Sequence, residues 1–287
     1  MTAATVLLEG LGFGEGPRWR DGKLWFSDFY RRAVYTVDLD GTETKIVDVP
    51  QQPSGLGWLA DGRLLVSSMR DRKVLRLDND GGLVVHADLS GLADFHVNDL
   101  ITDATGRAYV GNFGYDLHAD MHVRDIPTIL GDESAARTRV VRIEPDGEVV
   151  IAAEDMRFPN GMALIDSGRT LVVAETLRLQ LTAFDLAADG SLSNRRVWAS
   201  TAPQMVAPDG IAADPEGGIW VAAALGAAVV RYAEGGEVTG MVETSQNAFA
   251  CALGGPDGRT LFACTAPDSD PGVVDGKALG KIEIATV

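Results

Sequence analysis

Four oxygen-bearing residues, far apart in the chain, occupy the same place in a repeated phrase. Glu15, Asn98, Asn160 and Asp209 each open a segment that passes through apolar residues to a tight turn ending in glycine and then into an apolar strand. The copies are EGPRWRDGKLWFSD, SGLGWLADGRLLVSS, NDLITDATGRAYVGN, NGMALIDSGRTLVVAE, DGIAADPEGGIWVAA and ACALGGPDGRTLFACT. Aligned on the turn glycines Gly62, Gly106, Gly168, Gly217 and Gly258, the residue eight positions earlier is Ser54, Asn98, Asn160, Asp209 or Ala250; seven positions before Gly22 stands Glu15. Two carboxylates and two amide oxygens, with no sulfur or imidazole, form a hard ligand set. Such a set suits Ca²⁺, Mg²⁺ or Mn²⁺ better than a soft metal and leaves positions for water and substrate. Asn or Asp beside Gly also forms turns, which accounts for any one of these residues. It accounts poorly for all four, because Ser54 and Ala250 open the same phrase.

Such a set works only if the fold gathers distant segments, and the repeat supplies the means. Strand-turn-strand units at a period of this length mark blades stacked about an axis. The chain therefore reads as an all-β, six-bladed β-propeller of four-stranded antiparallel blades, with equivalent residues in one ring at one end of the central channel. In the first blade, residues 16–20 and 23–28 form the inner hairpin, 33–38 the third strand and 44–49 the outer one. The sixth copy runs out after a third strand at 281–286, so residues 4–9 are expected to supply its outer strand and close the ring. The expected organisation is one domain over residues 1–287.

The spacing between Asn98 and Asn160 is 62 residues, whereas the other ring spacings run from 39 to 49. The excess lies mostly in residues 113–137, which hold Phe113, Tyr115, His118, Met121, His122 and Ile129. A long, partly apolar insertion in a compact fold is usually functional, and this one is expected to be a lid over the channel mouth, with Tyr115, His118 and Met121 facing substrate. His118 and His122 stand at a helical i, i+4 spacing seen in some zinc sites, but no third ligand accompanies them, so a solvated lid face is expected.

Composition excludes several classes. A net charge of −16, from 25 Lys and Arg against 41 Asp and Glu, gives no basic footprint for nucleic acid. The first ten residues lack a basic n-region and no apolar run approaches a membrane span, so a cytoplasmic protein without membrane partners is the default expectation. Cys251 and Cys264 flank the PDG turn of the sixth copy, where a regular hairpin sets them opposite one another; reduced, buried thiols are expected in a reducing compartment. Ser54 has no surrounding GxSxG elbow, and GLGFGEG opens a strand rather than a phosphate-binding helix.

GEGPRW, the pair Asn98-Asp99, FPNGMA and PDGIA, in this order within a six-copy array, resemble the regucalcin and gluconolactonase family of six-bladed propellers across essentially the whole chain. The resemblance implies one divalent cation in the channel, Ca²⁺ foremost with Mg²⁺, Mn²⁺ or Zn²⁺ as alternatives, held by Glu15, Asn160 and Asp209, with Asn98 binding metal or substrate. It implies hydrolysis of lactones, especially sugar lactones; the alternatives are an organophosphate or aryl ester hydrolase, or a metal-containing propeller that binds a protein partner. Asp209 is the expected general base, because its motif matches the family's catalytic acid. One departure concerns the substrate. Family members acting on sugar lactones often carry Arg two residues before the Asn of the third blade, and here that position is His96, a smaller group that titrates near neutrality.

Overall fold

A computed structural model describes residues 2–287 and resolves them into six sheets arranged as blades. The inner strands are Gly14–Arg20, Pro53–Trp58, Val97–Thr102, Pro159–Ile165, Pro208–Ala213 and Asn247–Gly254, and each pairs antiparallel with the strand that follows it. The turn glycines Gly22, Gly62, Gly106, Gly168, Gly217 and Gly258 all hold positive φ, between 72° and 88°, a region that residues with a Cβ rarely enter. That requirement explains why the turn glycine recurs in every copy.

The sixth blade is completed from the other end of the chain. Its third strand, Gly280–Thr286, pairs antiparallel with Thr5–Leu11, which is therefore its outer strand and closes the ring. The extreme N-terminus adds a feature that the sequence pattern does not reveal: Thr2–Ala3 pairs parallel with the outer strand of blade five, Val238–Glu243. The first chain segment thus ties two blades together and covers two open edges.

The apolar core is divided rather than central. Each of the six blade-to-blade interfaces has its own cluster, as with Leu65 and Val74 against Leu100 and Val110 between blades two and three, and Leu24 and Phe26 against Phe262 and Ile282 between blades one and six. Alternating strand residues feed the two faces of each blade, so every sheet is covered on both sides. The cysteines follow this rule. The hairpin pairs Cys251 with Ala263 and Ala250 with Cys264, one register step away from the expected opposition. The two side chains therefore belong to opposite faces of the sheet, and both thiols are free and buried.

The long insertion occupies residues 113–136, one residue shorter than expected because Arg137 already begins the next strand, Arg137–Ile143. It contains two short helices, α1 (Leu117–Met121) and α2 (Ile126–Gly131), capped by the carboxylates of Asp116 and Asp125. Arg157, 1% exposed, anchors its base by donating to the carbonyl oxygens of Ile129, Leu130, Asp132 and Ala135 at 2.7–3.2 Å. A buried guanidinium with this many acceptors satisfies the orphan carbonyls at the end of α2.

Candidate active site at one mouth of the channel

The ring residues are all buried: Glu15, Asn98, Asn160 and Asp209 are 2–8% exposed, and Ser54 and Ala250 are 1% exposed. The inner strands position them with a device used six times. Pairing register skips at or beside the ring position in every inner hairpin, between Glu15 and Arg18, Pro53 and Leu56, Val97 and Leu100, Pro159 and Met162, Pro208 and Ile211, and Ala248 and Ala250. A β-bulge of this kind bends its strand and re-aims the side chain it carries.

The residue after the ring position is Gly16, Gly55, Gly161 or Gly210 in four blades, and its role is close approach. A Cβ on Gly55 would lie 2.0 Å from the Leu100 nitrogen, on Gly161 2.4 Å from the Asp209 carbonyl oxygen and on Gly16 2.5 Å from that of Ser54. Neighbouring inner strands therefore meet backbone to backbone around the axis. The Asn-Gly and Asp-Gly pairs lie within strands Pro159–Ile165 and Pro208–Ala213, so the turn-former explanation of these motifs does not hold.

Hydrogen bonds fix the orientation of the ring side chains. The Asn98 side-chain amide donates to the Pro159 carbonyl oxygen and to Asn160 Oδ1, each at 3.1 Å, leaving Asn98 Oδ1 buried without a partner. Asn160 Nδ2 donates to Thr176 Oγ1 at 3.1 Å, and that hydroxyl donates to the Pro208 carbonyl oxygen at 2.8 Å. Thr176 thus sets the orientation of the Asn160 amide. The Gly16 N–H donates to Glu15 Oε2 at 3.0 Å.

Two residues complete the electrostatics. Asp99 occupies the place held by glycine in four other blades; it is 3% exposed, with Oδ1 unpartnered. Arg18, three residues past Glu15, donates to the Leu100 and Pro17 carbonyl oxygens at 2.7 and 2.8 Å. Burial pushes the Glu15 carboxyl well above the usual range, aided by the charges of Asp209 and Asp99. Burial does the same to Asp209, again with Asp99 contributing. Asp99 is itself raised by burial, while Arg18 draws it down. Three desolvated carboxyls against one guanidinium leave negative charge uncompensated, a situation that protonation or a bound cation relieves.

Among the described residues no group of three or more His, Cys, Asp and Glu side chains is placed to hold a metal ion. The donor set at the ring is instead two carboxylates with two amide oxygens. The orphaned Asn98 Oδ1 and the mutual repulsion of the carboxyls fit a hard divalent cation.

Around this ring the other predicted residues separate into two groups. His96 stands two residues before Asn98, half-buried, its ring stacked on Phe95 at 4.1 Å; burial, and then the charge of Arg70, hold it below the usual histidine range. Tyr115 and Met121 pack with Ile129, Phe158 and Leu177 at the base of the insertion. His118 Nε2 lies 3.2 Å from Ser269 Oγ, and His122 Nε2 lies 3.3 Å from Asp270 Oδ2. These contacts join the insertion of blade three to the loop of blade six that leads into α3 (Pro271–Val274). Blades three and six stand opposite in a ring of six, so the contacts pass over the mouth. Glu175, at a strand end near the same mouth, is fully buried and committed: it accepts from the Arg157 N–H and Thr182 Oγ1 and pairs with Arg178 and Arg195 at 3.1 Å.

Sequence reasoning singled out neither Asp99, Arg18 nor Thr176 for chemistry. For Asp99 a signal existed, since it is the carboxylate at a repeat position otherwise held by glycine in four copies.

A propeller whose channel mouth carries a buried ring of carboxylates and amides defines a class, and sequence comparison names it. The chain belongs to the SMP-30/Gluconolactonase/LRE-like family, whose model matches residues 13–267. It is 27% identical to the pentonolactonase XacC of Haloferax volcanii over 93% of this chain and 86% of that protein. Among solved structures, a gluconolactonase from Xanthomonas campestris is similar at 25% identity with a TM-score of 0.74, covering 98% of this chain and 89% of the other. A calcium-binding protein, regucalcin, from Agrobacterium tumefaciens shares the fold at 22% identity with a TM-score of 0.79, covering 99% and 94%.

Proposed function

We propose that this protein is a divalent-cation-dependent lactonase, with Glu15, Asn98, Asn160 and Asp209 as the cation ligands and Ca²⁺ as the preferred ion. The observation that carries this reading is the buried, charge-uncompensated ring with an unpartnered amide oxygen aimed at no protein donor. The relation to a pentonolactonase and a gluconolactonase supports lactone opening as the reaction, and the calcium-binding relative supports the choice of ion. When bound, the cation supplies Lewis-acid polarisation of the lactone carbonyl.

The chain's own residues do the rest. Asp209 takes a proton from the attacking water as its oxygen bonds to the carbonyl carbon. The ring C–O bond then breaks, and that proton goes to the departing alkoxide, giving the hydroxy acid. Thr176 holds the Asn160 amide in place, and the Asn98 amide is fixed by Pro159 and Asn160. His96 borders the mouth as a neutral imidazole able to orient substrate. The insertion acts as a lid whose contacts from His118 to Ser269 and from His122 to Asp270 shield the site from bulk water.

The assignment of Asp209 is tested by Asp209→Asn under saturating Ca²⁺. Loss of a general base is expected to lower kcat by about 10²–10⁴-fold with the cation still bound. Unchanged hydrolysis by a Ca²⁺-loaded variant removes Asp209 from that role.

A further inference from the structure

One step above the ring, the channel wall changes character. The carbonyl two residues before the ring position accepts the N–H of the residue that follows the second strand: Phe13 from Phe29 at 3.0 Å, Gln52 from Met69 at 2.8 Å and His96 from Phe113 at 2.9 Å. The next two blades repeat this bond, Phe158 from Thr176 at 3.2 Å and Ala207 from Ala224 at 3.1 Å. These residues lie just outside the inner strands, one hydrogen-bonded pair beyond the ring residues at the same mouth, and so form a tier at its rim. Within the five pairs the side chains are aromatic, aliphatic or neutral, and His96 alone is ionisable.

Packing makes this tier firm. The Phe13 and Phe249 rings lie 4.7 Å apart across the boundary of blades one and six, and the Phe113 and Phe158 rings stack at 4.7 Å across that of blades three and four. Phe13 and Phe158 are buried, whereas Phe29, Phe95 and Phe113 keep part of their surface uncovered. Arg70, next to Met69, is exposed, and its charge reaches His96 and Tyr30.

We propose, building on the lactonase reading, that this tier selects lactones bearing an alkyl or aryl substituent over polyhydroxylated ones. A substrate carbonyl at the ring places its ring substituents against the tier. An apolar group gains contact with the uncovered rings of Phe29, Phe95 and Phe113, whereas a sugar hydroxyl set against those rings loses water and finds no partner on them.

The test compares two probe classes with the Ca²⁺-loaded protein: a γ-lactone with a pentyl tail and an aryl-fused δ-lactone against glucono-δ-lactone. Binding of the corresponding non-hydrolysed lactams is followed by calorimetry alongside turnover. The expected result is kcat/KM at least about 10-fold higher for the apolar probes, with the same order in lactam affinity. Phe113→Asn narrows that preference through KM, and Phe113→Leu, which keeps the apolar volume, largely retains it. Faster turnover of the polyhydroxylated lactone, or a preference untouched by Phe113→Asn in a folded variant, overturns the proposal. Tighter binding of the apolar lactams with no lactone hydrolysed supports the selectivity and sinks the lactonase reading alone; equal lactam affinities sink the selectivity.

Discussion

At the residue scale, the proposed cation site depends on atoms that orient its ligands as much as on the ligands themselves. Thr176 is the clearest case, since its hydroxyl bridges the Asn160 amide and the Pro208 carbonyl oxygen. Thr176→Val keeps the volume and removes the bridge, and is expected to weaken Ca²⁺ affinity about 10–100-fold by calorimetry while the fold persists. The shared ring position of the four residues was legible in the sequence because repeat alignment compares positions up to 194 residues apart. Thr176 was not, because it lies just past a second strand and acts through a hydrogen bond that only folding creates. Asp99 and Arg18 were partly hidden for a similar reason: their significance is the charge they place beside Glu15 and Asp209, a matter of distance across the channel rather than of motif.

At the element scale, the inner strand with its bulge and glycine is the working unit. The repeat pattern, turn glycines and ring closure by the N-terminal segment, expected over residues 4–9 and found at Thr5–Leu11, could be read in advance, because periodicity and an unpaired edge are properties of sequence order. The bulges and the parallel pairing of Thr2–Ala3 could not, since both depend on how neighbouring blades press together. Gly161 shows that pressure, and Gly161→Ala tests it. A Cβ there would sit 2.4 Å from the Asp209 carbonyl oxygen and 2.6 Å from the Ile211 nitrogen. Backbone cannot yield as a side chain does, so the variant is expected to lose about 1–3 kcal/mol or more in urea unfolding. Stability equal to the parent would mean that the strands are not in close contact.

At the scale of the whole molecule, the ring concentrates negative charge on the axis of a protein already carrying −16. In the metal-free protein Glu15 and Asp209 titrate above the usual carboxyl range, chiefly through burial. A carboxyl whose folded pKa is raised contributes stability that is full below its unfolded value, near 4, and is lost as pH rises through the folded value. The Tm of chelator-treated protein is therefore expected to fall, as pH rises above the ordinary carboxyl range near 4, more steeply than that of Ca²⁺-loaded protein. Parallel Tm curves would deny the ring its cation. The most direct measurement is acid release from a lactone panel in a pH-stat as chelator-stripped protein is titrated with Ca²⁺. The account predicts no turnover before addition and a rise that saturates at one ion per chain; full turnover in chelator, or none at any Ca²⁺ concentration, contradicts it.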